Sequence, residues 1–116
     1  MKIIKILLIT IAIAFSTNSF SDEHKPGVYI RGNVSCGDWV TSRADEDKHW
    51  ATVGAYTSWE IGFLSGMALK TQVDILRNID YKQVQLWLDN YCKEHPLDGT
   101  YEAGLLLFDE LKKRMQ

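Results

Sequence analysis

Apolar and polar positions change their rhythm several times along the chain, and each change marks an element. Residues from Ile6 to Phe15 form an almost unbroken apolar or small run, which turns polar at Ser16. The stretch Asp22 to Gly27 is polar and carries Pro26 and Gly27. Val28, Tyr29, Ile30 and Val34, interrupted by Gly32 and Asn33, predict an extended piece with a turn. A helical period then sets in. Trp50, Val53, Thr57, Ile61, Leu64 and Ala68 recur at spacings of three and four, with Trp59, Phe63 and Met67 on an adjoining strip. Val84, Trp87, Leu88 and Tyr91 repeat the period, and Tyr101, Leu105, Phe108 and Leu111 repeat it again, with Gly104, Leu107 and Met115 beside them.

Boundary residues sharpen these three helices. The first begins near Asp47 or Lys48, after a charged stretch, Thr41 to Lys48, expected to be exposed. Its wide apolar surface suits a central helix covered on more than one side. Gly62 and Gly66 stand one turn apart in it, a flat strip expected to receive another backbone inside the bundle. Lys70 to Asp80 reads as a packed connector. Asp80 is a suitable N-cap for the second helix, and Pro96 stops that helix. Lys93 and His95 suit its negative end. Asp98 is the expected cap of the third helix. The fold class is therefore all-α, a small bundle of three main helices with an irregular amino-terminal arm.

The opening run changes where this bundle is expected to live. Lys2 and Lys5 precede the apolar stretch, and Ser19 and Ser21 are small residues where a signal peptidase reads. We read 1–21 as a secretory signal peptide, because a run of about ten apolar residues falls short of the roughly 20 that span a bilayer. Residues 22–32 read as a flexible leader and 33–116 as the helical domain. The expected location is outside the cytoplasm, reached through that signal peptide, without membrane attachment after cleavage. Cleavage removes two of the 13 basic residues and none of the 15 acidic ones, leaving a net charge of −4. That balance argues against nucleic acid, which requires a basic surface.

The chain has two cysteines, and an exported protein makes a Cys36–Cys92 disulfide the default. On the loop-closure argument such a bridge is worth roughly 4 kcal/mol. Two alternatives stay open. One is a zinc site from Cys36, Cys92 and two of His24, His49 and His95, although structural zinc sites usually draw ligands in close pairs. The other is a nucleophilic Cys92 beside His95, although a histidine at a helix end is commonly a dipole partner. No hydrolase elbow, zincin helix, phosphate loop or calcium loop is present in the sequence. Asp45, Glu46 and Asp47 read as a solvated run rather than an acid–base pair. We therefore expect no catalytic residues, no metal and no cofactor. Protein recognition remains, with 41–49 and the Pro96–Thr100 turn as the loops to carry it.

The motifs Ser35-Cys36-Gly37-x-Trp39, Trp59-x-x-Gly62-Phe63-Leu64-Ser65-Gly66 and Trp87-Leu88-Asp89-Asn90-Tyr91-Cys92-x-x-x-Pro96-Leu97, with the Ala103, Leu107, Glu110 and Leu111 tail, occur in that order. This order and spacing resemble the Rap/Tai-type immunity proteins of type VI secretion systems, across about residues 33–113. The resemblance implies a small exported helical protein, often dimeric, that binds a peptidoglycan amidase effector and occludes its active site in the periplasm without being an enzyme. A broader similarity joins the chain to small periplasmic acid-stress chaperones of HdeA type, which are also short, helical and bridged by one disulfide.

Overall fold

The computed structural model describes residues 27–116, so the proposed signal peptide lies outside the described residues, as does His24. Four helices follow one another: α1 (Cys36–Ala44), α2 (Glu46–Thr71), α3 (Tyr81–Glu94) and α4 (Thr100–Arg114). The all-helical class and the Cys36–Cys92 bridge are both present. Beside the three long helices stands α1, a short helix whose residues the sequence pattern assigns to the arm and to an exposed charged loop. The Ser35 hydroxyl accepts from the Asp38 amide and starts it. Its polar composition hides the helix, because only Cys36 and Trp39 are buried along it.

The Cys36–Cys92 bond holds the start of α1 against the end of α3, with Cα atoms 4.8 Å apart. Farther along α1, Trp39 Nε1 and Arg43 both reach Asp89, one turn earlier on α3. The two helices therefore run antiparallel. The core gathers Cys36, Trp39, Leu64, Ile75, Val84, Leu88, Cys92, Ala103, Leu107, Phe108 and Leu111. Ile75 comes from the connector, which packs as expected.

The second long helix starts as the sequence predicts. Asp80 accepts from the Gln83 amide while the Gln83 side chain accepts from the Asp80 amide, a reciprocal capping box. The central helix differs from expectation on its solvent side. Trp50 lies 72% exposed after a local break at His49, so it is not a core residue. Gly62 and Gly66 are exposed with open space around their α-carbons. No helix of this chain packs on the glycine strip among the described residues. Val53, Thr57 and Leu64 are buried as the period predicts, and Glu60 joins them.

On α4 the inward stripe is Ala103, Gly104, Leu107, Phe108 and Leu111. Phe108 and Leu111 point inward as expected, but the stripe is turned toward Gly104 and Leu107, leaving Tyr101 and Leu105 only partly covered. The reason is a close approach at Gly104, where the bare backbone of α4 meets Glu60 and the ring of Phe63.

Candidate functional site

The segment around Cys92 and the amino-terminal arm meet at one end of the bundle. Both cysteine sulfurs are spent in the bond, so neither is a thiolate able to bind metal or attack a substrate. Among the described residues, no group of three or more His, Cys, Asp or Glu side chains is placed to hold a metal ion. His95 closes α3 as expected. Its ring nitrogen Nδ1 lies 3.0 Å from the Tyr91 carbonyl oxygen. The ring stacks on Tyr91 at 4.2 Å, and Tyr91 stacks on Trp87 at 5.3 Å. These three rings, at successive turns, form a ladder up one side of α3.

Beyond His95 the chain turns at Pro96–Gly99 and is fixed from several directions. The Cys36 amide donates to the Asp98 carbonyl at 2.8 Å, and the Thr100 amide donates to the Val34 carbonyl at 2.9 Å. Ser35 and Gly99 form an isolated antiparallel bridge. The Asp98 carboxylate, expected to cap α4, instead accepts from the Tyr91 hydroxyl. Burial and that carboxylate push the Tyr91 phenol up to about 12.

Capping of α4 falls to other residues. Gly99 occupies the N-cap, and its amide donates to Glu102 at 3.0 Å. The Asn33 side-chain oxygen accepts from the Tyr101 amide at 2.8 Å and from the Thr100 hydroxyl at 3.2 Å. The arm thus supplies the cap that Asp98 does not. Upstream, Trp59 Nε1 donates to the Arg31 carbonyl. Gly32, at φ +82°, lets the backbone turn tightly over that indole. On this braced end Leu97 stands 98% exposed. Leu97 is thus a large apolar side chain held in solvent on a fixed turn.

The other expected recognition segment, 41–49, is the corner where α1 passes into α2. Arg43 anchors it. Its guanidinium donates to both Asp89 oxygens, from Nε at 2.9 Å and Nη2 at 2.8 Å, and it also pairs with Glu46. The hydrogen bond to Asp89 raises the Arg43 pKa further. Asp89 receives the Trp39 indole N–H as well, at 2.9 Å. The Asp-Asn-Tyr-Cys segment therefore owes its aspartate to architecture: Asp89 joins α1 to α3. Asp45, Glu46 and Asp47 line an outer edge, and Asp45 pairs with Lys48.

Sequence reasoning missed Glu60, which is fully buried in the centre of α2. Its position carried a signal, since it falls between Thr57 and Leu64 on the 53–57–64 stripe, where a carboxylate is out of place. Nearby, the Thr57 hydroxyl donates to the Val53 carbonyl and accepts from Gln85 of α3 at 3.0 Å. That pair is satisfied. The Glu60 oxygens have no hydrogen-bond partner, and burial raises this carboxyl to about 8.

Comparison with known proteins returns no matching family model, no matching characterised protein and no matching solved structure.

Proposed function

We propose that this protein is a periplasmic, immunity-type binding protein that captures and neutralises a peptidoglycan amidase effector of a type VI secretion system, and that it performs no chemistry itself. The motif resemblance supplies the partner class. The structural observation that carries the binding role is the Pro96–Thr100 turn. It is tied to the start of α1, to the arm and to α4, and it presents Leu97 to solvent. Preordering a loop lowers the entropic cost of binding through it.

The test is co-purification of the disulfide-bonded protein with an amidase effector encoded by the neighbouring gene, followed by rescue of cells making that effector in the periplasm. The expected result is a stable complex and full rescue, both weakened at least tenfold by Leu97→Glu. Absence of both complex and rescue with the wild-type protein rules the reading out.

An acid-activated chaperone is the second reading. Such a protein must loosen when its carboxylates take up protons. Glu60 acts in the opposite sense, because protonation is the state in which it tolerates burial. We therefore rank this reading below the first.

A further inference from the structure

Glu60 occupies the seam where α2 meets α4. Among the described residues, its two oxygens are the buried side-chain polar atoms left without a hydrogen bond. Across the seam is Gly104, where a side chain would overlap Glu60 Oε1, and Phe63 closes one side. Among the described residues, no cation pairs with Glu60. On α4, Glu102 is engaged by the Gly99 amide, and Tyr101 meets the edge of Phe63. On α3, Gln85 is neutral and bonded to Thr57, while Asp89 is held by Trp39 and Arg43. On α1, Arg43 is committed to Asp89 and Glu46. An ionised carboxylate at this position would be buried with neither counter-ion nor donor, which a protein interior does not sustain.

We propose that Glu60 is a pH-sensitive latch on the α2–α4 seam: protonated, it lets the two helices close, and ionised, it requires them to part so that water reaches the carboxylate. The sign follows from the two environments. In the closed seam burial holds the proton up to about pH 8, while a solvated carboxyl releases it near its ordinary 4.5. Opening is therefore coupled to loss of one proton between those values. The closed state has its full advantage below about 4.5, loses it as the pH climbs, and has none left above about 8. One proton per event corresponds to a tenfold change in the opening equilibrium per pH unit. The latch needs no partner protein and stands independently of the immunity reading.

The test is amide hydrogen exchange of the disulfide-bonded protein between pH 5 and 9, comparing wild type with Glu60→Gln, which keeps the shape and removes the titration. Taking the ratio of the two proteins cancels the base catalysis common to both. The expected result is a wild-type to variant ratio for the inner α4 amides, residues 103–108, that grows close to tenfold per pH unit and levels off near pH 8. A ratio that stays flat overturns the proposal. A ratio that grows equally for every protected amide also overturns it, since the opening unit is then the whole fold. Glu60→Met serves as the reference should the glutamine variant fail to fold. Carbon-13 titration of the wild-type glutamates gives a separate reading: a carboxyl titrating near 8 is expected, and a full set titrating between 4 and 5 refutes the latch.

Discussion

Gly104 and Gly62 lie inside helices, yet the same substitution should move them in opposite directions. Alanine ordinarily gains about 1 kcal/mol over glycine in a helix interior. Gly62 has open space around its α-carbon, so Gly62→Ala should stabilise the protein by about 0.5–1 kcal/mol. At Gly104 the added methyl would overlap Glu60 Oε1 and press on the Phe63 ring. Strain of that kind costs about 1–3 kcal/mol, enough to outweigh the helix gain. Gly104→Ala should therefore destabilise, measured as a lower urea midpoint at unchanged slope. A Glu60→Ala background should recover part of the loss, because the two sites share one space. Equal stabilisation at both glycines would show that α4 shifts freely away from α2.

The ends of α4 and α3 separate what local sequence encodes from what only the assembled chain encodes. The Asp80 and Gln83 box was legible because both partners lie within one turn. The start of α4 was harder to read, because Gly99 with Glu102 is a weaker local signal than Asp98, and the acceptor for the Tyr101 amide is Asn33, on the far side of three helices. Asp98 matched the local rule but is drawn away by Tyr91. α1 was hidden for a related reason: its length is secured by one hydroxyl cap, one disulfide and the Asp89 contacts rather than by an apolar stripe. The glycine strip shows the reverse error, a packing motif read from sequence that the fold leaves facing solvent. Asn33→Ala should therefore act at a distance. It removes an acceptor from the Tyr101 amide and the Thr100 hydroxyl, a cap-sized loss of about 1 kcal/mol. Faster hydrogen exchange confined to the arm and the first turn of α4 is the expected signature. Unchanged exchange there would assign the tether to Thr100 and Glu102 instead.

Across the whole molecule, the buried Trp39, the Asp89 hydrogen bonds and the disulfide together hold α1 to the long helices, and the disulfide is the covalent tie among them. It closes a loop with a sequence separation of 56, which the chain-entropy model values at roughly 4 kcal/mol. A small domain has only about 5–15 kcal/mol of total stability, so this bond is a large share. Its position adds to its effect. Cys36 is both a bridge residue and the donor to the Asp98 carbonyl, so it ties α1 to the end of α3 and to the turn bearing Leu97. Reduction keeps every side chain and removes only the covalent constraint. The reduced protein should unfold at a urea midpoint corresponding to a loss of about 4 kcal/mol. Below that threshold the arm and the Pro96–Thr100 turn should become protease-sensitive before α2 does, because the remaining ties there are hydrogen bonds while α2 is held by the core. If the proposed binding runs through Leu97, affinity for the proposed partner should fall on reduction even where the helices stay folded. A reduced protein within about 1 kcal/mol of the oxidised one, cleaved no faster at the turn, would assign the bracing of that end to Asp89, Asn33 and the core rather than to the bond.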